Sequence, residues 1–471
     1  MSQREVHPWV VLATCCLSLF LVTIDVTIVN VALPAIARDF DTTMDGLQWS
    51  IDGYTVVIAS FLMLAGSTAD RLGRKRIFQI GLGIFSLGSL LCSFAGSIQM
   101  LVAFRVVQAL GGAMMNPVAM SIIVNTFTDP KQRAQAIGFW GSVFGISMAL
   151  GPLLGGLLVE HVGWRSIFWV NVPFGVAAIL LTARFVPESR APKPRRIDPV
   201  GQFLVVVVLG TLTGSLIEGR ALGWTSPPIV AALASAIVAM IALVIYERRR
   251  LEPLLDMRFF RSIPFAGATI LAVVAFSSFN GSLFLSSLYL QTARGLSPAH
   301  AGLCLLPIAA SLAICAPLSG KLVGGGHVRF TVCLAGCALA IGAAILLGLD
   351  LQTPIAQVIA AFVVFGVAMG MINAPITNTA VSGMPRAQAG VASALASTSR
   401  QVGATLGIAL SGSIVGVKAS DPAFAPNTHP FWAYVLVGGV AVTLLGLFIT
   451  SKRAVASANA VATDLIGGVQ Q

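Results

Sequence analysis

Residues 9–34 read WVVLATCCLSLFLVTIDVTIVNVALP, and their one charge is Asp25. A helix needs roughly 20 residues to cross a hydrocarbon core about 30 Å thick, so this stretch is long enough to span a membrane. An ionised carboxylate inside that core is costly unless it meets water, a partner or a proton. At 100° per residue, Thr14, Ser18 and Asp25 share one face of the helix, with Ala32 two turns further on. The acid therefore sits on a small, polar stripe. Two readings follow: a titratable group facing a cavity, or a carboxylate near the membrane edge that is salt-bridged for structure.

The rest of the chain extends this pattern. Of its 471 residues, 56% are hydrophobic and 10% are charged, against about 25% charged in soluble domains. Apolar runs recur at 9–31, 51–69, 77–95, 98–120, 134–158, 166–186, 199–218, 227–246, 263–290, 299–320, 330–348, 354–374, 388–416 and 431–450. These predict an all-α polytopic membrane protein with fourteen spans, of which 263–290 and 388–416 are expected to include non-membrane turns. The first run is too long for a signal-peptide core. The seven cysteines all lie inside apolar runs and read as small buried hydrophobes, with no disulfide or metal spacing.

The net charge of +11 is explained by where the basic residues lie. Arg38, Arg165, Arg220, Arg294 and Lys418 fall on one side, and Arg105 and Arg400 fall within spans. The remainder of the 29 Lys and Arg, from Arg4 to Lys452 and Arg453, fall on the other side. The positive-inside rule then places both termini in the cytoplasm, and no nucleic-acid partner is needed.

The two ends of the chain echo each other. GSTADRLGRKR (66–76) follows the second span, and a weaker GKLVGGGHVR (320–329) follows the tenth. The 199–246 pair has no counterpart and lies between the basic linkers PESRAPKPRR (187–196) and ERRR (247–250). This predicts an N-terminal six-helix bundle over 1–187, linkers and two inserted helices over 188–257, and a C-terminal six-helix bundle and tail over 258–471. Repeated bundles around a midplane site are the usual design of secondary transporters. A pore would be expected to show a filter-like loop, and none is evident.

Several motifs carry the chemistry. In the 66–76 turn, Asp70 ends one helix while Arg71, Arg74 and their basic neighbours sit beside the start of the next, and Gly66 and Gly73 permit close approach and the turn. A carboxylate held there by an Arg or by a helix N-terminus would latch two helices together; the alternative is a plain basic loop. In the fourth span Arg105, Gln108, Gly112 and Asn116 form one stripe. Arg105 faces either a cavity near Asp25 or a structural partner. In the fifth span Gly141, Gly145 and Ala149 form one small-residue series, and Gly151 and Gly155 another. Such series allow close helix contact, and Pro152 loosens the helix. In GWRSIFWVNVPFG (163–175) Trp164 and Trp169 suit the outer interface and Asn171 and Pro173 break the helix near its outer end, as an interfacial anchor or a selectivity element. Gln108, Asn116, Asn280, Asn373 and Arg400 are the polar candidates for a substrate cavity. Phe276, Phe279 and Phe284 line an apolar pocket or belong to the core.

TIDVTIVNVALP (23–34), GSTADRLGRKR, RVVQALGGA (105–113), GPLLGG (151–156) and GWRSIFWVNVPFG together resemble the major facilitator superfamily. They are most similar to its fourteen-helix drug:proton antiporters of the EmrB/QacA type, over nearly the whole chain. Gln291, Gly295, Ser297, Pro298 and RQVGATLG (400–407) extend the likeness. The resemblance implies two six-helix bundles plus two additional central helices, and proton-driven efflux by alternating access without a cofactor. By it Asp25 corresponds to the first-helix acid and Arg105 to the fourth-helix Arg linked to proton coupling. Gly145, Gly151, Pro152, Gly155 and Gly156 fall in the antiporter signature of the fifth helix. Two departures stand out. The 299–320 span has no Asp or Glu, which weakens a divalent organic cation as substrate, and Ala109 replaces the usual Gly.

The expected function is export of amphipathic, cationic or neutral small molecules in exchange for protons. A dedicated exporter of one metabolite, amino acid or lipid precursor is the alternative within transport. A non-transporting sensor or scaffold is disfavoured by the intact charges and the lack of a soluble output domain. The expected partners are substrate, protons and the lipid bilayer of a bacterial cytoplasmic membrane. The chain is expected to be a monomer and not an enzyme, and an accessory periplasmic protein is compatible with this reading.

Overall fold

The computed structural model describes residues 7–191, 197–250, 256–382, 384, 388–417, 419 and 421–467. Arg4, Lys193, Arg195, Arg196, Arg386 and Lys418, used above to orient the chain, lie outside them.

Among the described residues every element is a helix. The longer ones, in order, are α1 (Pro8–Phe40), α2 (Met44–Leu72), α3 (Arg74–Ser93), α4 (Ile98–Thr126), α5 (Pro130–His161) and α6 (Asn171–Phe185). Then come α7 (Pro199–Leu222), α8 (Pro227–Arg249), α9 (Ile263–Leu288), α10 (Pro298–Gly324), α11 (Val328–Leu346), α12 (Ile355–Val381), α13 (Ala389–Val415), α14 (His429–Ile449) and α15 (Lys452–Gly467). Thirteen of the helical segments are long and apolar enough to cross a membrane. Helix α13 has 27 residues, but Arg400, Gln401 and several serines dilute its apolar character.

Two expectations are corrected here. The 388–416 run contains no turn, because Ala389–Val415 is one continuous helix. The 263–290 run is also helical throughout, as α9 passes directly into a π turn at Tyr289–Ala293. Gly403 and Gly407 are accommodated inside the helix because a neighbouring helix approaches closely there.

The chain forms two compact units. One runs to Gln202 and includes Ser297–Leu303; the other comprises Phe203–Leu296 and the chain from Cys304 onward.

In the first unit, short connections and local caps set the helix ends. Gly73, at φ +115°, lets α3 begin immediately after α2. Ser97 caps α4 by accepting from the Met100 N–H, and Asp129 caps α5 by accepting from the Gln132 N–H. Tyr54, Phe78, Phe85 and Phe127 fill the core. Helix α5 lies against α1 where glycines of α5 leave no side chain between it and Thr27 and Ile28. A Cβ placed on Gly151 would sit 1.8 Å from Thr27 Oγ1, and one on Gly155 would sit 2.7 Å from Ile28 Cγ1. Two readings of small residues are corrected: a Cβ on Gly141 would meet nothing within 4 Å, and one on Gly66 would be 3.9 Å from Pro117. Neither position requires glycine for packing.

In the second unit, α13 packs backbone to backbone on α9. A Cβ on Gly407 would lie 2.0 Å from the Ser277 carbonyl oxygen, and one on Gly403 would lie 2.6 Å from that of Val273. Trp432 of α14 is fully buried and stacks on Phe365 of α12 at 6.2 Å. Helix α8 is largely exposed, with Val230, Ile237, Val238, Ile241 and Ile245 on its outside, as expected for a lipid-facing helix. Arg220 near the end of α7 donates to the Ser413 and Ile414 carbonyls at 3.3 and 3.2 Å, placing a cation at the C-terminus of α13. In the loop after α11, Asp350 accepts from the Thr353 hydroxyl and the Gln352 N–H, which hold its carboxyl below the usual range. The residues expected to form a tail include helix α15, which docks by Ser457 Oγ accepting from the Ile263 N–H at 3.0 Å.

Candidate functional site

Asp25 and Arg105 meet in the interior of the first unit. Arg105 Nη1 donates to Asp25 Oδ2 at 2.5 Å and also to Gln108 Oε1 at 2.9 Å. Gln108 Nε2 donates to Asp25 Oδ1 at 2.8 Å, and Asn171 Nδ2 donates to the same oxygen at 2.9 Å. Asp25 is 0% exposed and Arg105 1%. The expected open cavity at Asp25 is replaced in this structure by a sealed polar cluster.

The cluster follows from helix geometry. Arg105 and Gln108 are three residues apart on α4, so both point at the same place on α1. Arg105 Nε also donates to the Ser50 carbonyl of α2 at 3.2 Å, and its guanidinium lies 4.0 Å over the Tyr54 ring. Asn171 opens α6 and donates as well to Ser89 Oγ of α3 at 3.1 Å, while Ser89 donates to the Phe168 carbonyl. One carboxylate thus ties α1 to α4 and α6 directly, and to α2 and α3 through one intermediary. Removing one partner of such a buried pair costs about 3–5 kcal/mol, because the other charge is left uncompensated.

A second polar assembly forms the α2–α3 turn. Asp70 Oδ1 accepts from Arg74 Nε at 2.9 Å and from Nη2 at 2.8 Å. Arg71 is exposed. The Ala191 N–H donates to the Asp70 carbonyl, and the Arg74 N–H donates to the Ser189 carbonyl. Glu188 accepts from the Lys75 and Arg76 N–H groups at 3.1 and 3.3 Å, at the positive end of α3. A Cβ on Gly73 would lie 2.7 Å from that carboxylate, so this glycine serves both the turn and the approach of Glu188.

The fifth-helix signature divides between partners. Gly145 is buried, and Gly151 and Gly155 face α1. Gly156 faces the backbone of Pro298 and Ala299, where a Cβ would come within 2.5 Å of the Pro298 carbonyl oxygen. A Cβ on Gly302 would come within 2.3 Å of the Pro152 carbonyl oxygen. Glu160 Oε2 accepts from the Ala299 N–H at 3.0 Å and so caps α10.

The other polar candidates are dispersed. Asn116 is half-buried on α4. Asn280 Nδ2 donates to the Phe276 carbonyl of its own helix at 2.9 Å. Asn373 is half-buried on α12. Arg400 on α13 donates to Thr377 Oγ1 of α12 at 3.0 Å and to Ser397 Oγ at 2.7 Å. Phe279 and Phe284 are buried, and Phe279 lines a small cleft with Ser282, Ser286, Phe362 and Phe365.

Sequence reasoning did not single out Glu188, Ser89 or Asp52. Asp52 on α2 is wholly buried and accepts from Thr55 Oγ1 at 3.2 Å. An acid one residue into an apolar run was the available signal for it.

A many-helix membrane protein with a buried Asp–Arg cluster in its interior has the build of a secondary transporter. The chain belongs to the Major Facilitator Superfamily, whose sequence model matches residues 15–201 and 191–408. It is 38% identical over 404 residues to the multidrug resistance protein Stp of Mycobacterium tuberculosis, covering 86% of this chain and 75% of that protein. It is 34% identical over 418 residues to the methylenomycin A resistance protein of Streptomyces coelicolor, covering 88% and 87%. A crystal structure of the peptide transporter POT in complex with sulfate shares the fold, with a TM-score of 0.68 at 14% identity over 96% of this chain and 95% of that one. The chain is a multi-pass membrane protein of a transporter family and not an enzyme.

Proposed function

We propose that this protein exports amphipathic small molecules across a bacterial cytoplasmic membrane in exchange for protons, by alternating access. The observation that carries the proposal is the Asp25 cluster. Its carboxylate meets three donors, from Arg105, Gln108 and Asn171. A proton on Asp25 would remove the charge that draws these donors and place an O–H among them, so proton uptake weakens the cluster. Because the cluster ties α1, α4 and α6, its opening changes how those helices are held. Protonation and helix arrangement are thereby linked, and an antiporter needs such a link. Asp70 and Arg74 act as the latch of one state, with Glu188 holding the start of α3. Gly151, Gly155 and Gly156 keep the seams of α5 tight. No cofactor takes part; the proton gradient is the energy source.

In this reading residues 1–187 form the proton-carrying bundle, 188–257 the linkers and inserted helices, and 258–471 the second bundle and tail. Both termini are cytoplasmic, by the distribution of Lys and Arg. The names of the relatives support export of toxic small molecules. Some of these names, such as that of the methylenomycin A resistance protein, refer to a single compound, which favours a dedicated exporter as the second reading.

Proteoliposomes with an imposed pH gradient test the proposal. Efflux of dyes and antibiotics that stops when the gradient is collapsed is the expected result, with many compounds moved by a multidrug exporter and one by a dedicated exporter. Movement that ignores the gradient would reject proton coupling.

A further inference from the structure

Among the described residues, Arg400 has no counter-charge within ion-pair distance. In the six helices α9–α14 no Asp or Glu occurs, and the other Lys and Arg, Lys321 and Arg329, lie at helix ends. Arg400 is the twelfth residue of α13, about 17 Å along the helix at 1.5 Å per residue, in a hydrocarbon core about 30 Å thick. That is the depth at which secondary transporters of this build hold substrate. Its guanidinium has five N–H donors, and the partners found for it are the hydroxyls of Thr377 and Ser397. Among the described residues no carboxylate lies within ion-pair distance of it. The acids in the flanking loops are engaged locally: Asp350 accepts from Thr353 and Gln352, and Asp421 from the Ala423 N–H.

A bare guanidinium at this depth is expensive, and intramembrane charges of this kind mark substrate paths. Two hydroxyls orient the group without neutralising it. Asn373, one turn before Thr377 on the same helix, adds a further polar group. The planar fork of an Arg matches a carboxylate in a way that a point charge does not.

We infer that Arg400 is the recognition point for an acidic group, a carboxylate on an amphipathic molecule, in the exported substrate. This rests on the export reading above and narrows its substrate class. A purely cationic molecule would meet an uncompensated positive charge in this half of the protein, whereas a carboxylate would supply the missing partner.

The test compares two probes that share one scaffold, the carboxylated dye rhodamine B and its ethyl ester. Full-length protein in nanodiscs is titrated with each by fluorescence anisotropy, and the ratio of ester to acid dissociation constants is the readout. The wild type is expected to favour the acid. Arg400→Gln should lower that preference roughly tenfold or more, the scale of a lost charge-assisted contact, and Arg400→Lys should retain most of it. An unchanged ratio in R400Q overturns the inference, and so does an equal fall in both affinities, which assigns Arg400 to structure. If R400Q does not give monodisperse protein, the Thr377→Ala/Ser397→Ala pair is read instead, with a selective loss for the acid expected and an unchanged ratio again contrary. Gradient-driven efflux of the two dyes by wild type separates the two levels. Efflux of the ester without preference for the acid sinks this inference alone, whereas no gradient-driven efflux of any compound sinks the export reading.

Discussion

Replacing Gly151 by Ala adds one methyl group at the tightest point between α5 and α1. That methyl would lie 1.8 Å from Thr27 Oγ1 and 2.7 Å from Thr27 Cβ. Thr27 Oγ1 is held by its bonds to the Thr23 and Ile24 carbonyls, both at 3.1 Å. Rotating the hydroxyl away leaves the Cβ contact, so the two helices must separate. Ordinary contact begins near 3.4 Å, which puts the needed shift at several tenths of an ångström or more. Thr27 is two residues from Asp25, so the shift carries the carboxylate relative to Arg105, Gln108 and Asn171. Overpacking of this kind costs about 1–3 kcal/mol. If the clash is confined to this state, the balance between transport states moves roughly 5- to 150-fold. The assay is gradient-driven efflux in everted vesicles at matched protein level, with melting temperature measured alongside. G151A should lose roughly fivefold or more in rate. Combining it with Thr27→Ala, which removes the hydroxyl contact, should recover part of that loss. Wild-type rate and stability in G151A alone would refute the proposed seam.

Asp70→Asn should slow export while leaving the protein in the membrane. Asp70 is 33% exposed, so after solvent screening its ion pair with Arg74 is worth about 1–2 kcal/mol, or roughly 5- to 30-fold in a two-state balance. Unchanged turnover in D70N would reject the latch. Glu188→Gln should give a smaller defect in the same direction, measured in the same vesicles, because the amide keeps an acceptor but loses the charge at the start of α3. Topology reporters fused after Lys452 and in the linker between α6 and α7 should both read cytoplasmic; a periplasmic reading at both would reverse the orientation.

Much of the fold was legible because membrane spans are written as long apolar runs. Span edges and continuity were less legible. The 388–416 run was expected to include a turn, yet it is one helix whose Gly403 and Gly407 pack against α9, which only the neighbouring helix reveals. The centre of the site was partly legible. The spacing of Arg105 and Gln108 is a property of one helix, and Asp25 stands out as a lone acid. Their meeting depends on how α1 and α4 are rotated, which no spacing states. Asn171 was read as a break in the helix, and it opens α6, but its amide also reaches Asp25 across 146 positions of sequence. Glu188 sits in a linker where an acid is ordinary, and its role depends on the N–H groups of α3 that it meets. Gly66 and Gly141 gave the opposite error, small residues at helical spacing that face no close neighbour.

The coupling role of Asp25 is tested most directly by proton release. Purified protein in weakly buffered detergent is given an exported substrate, and the change in pH is followed in wild type and in Asp25→Asn, over a range of starting pH around neutrality. Asn keeps the shape of the side chain and cannot carry the proton. The expected result is stoichiometric proton release from wild type and none from D25N, with binding to D25N still detectable by an independent signal. Equal release from both proteins would contradict the claim, moving the coupling site elsewhere and leaving the Asp25–Arg105 pair as a structural tie between helices.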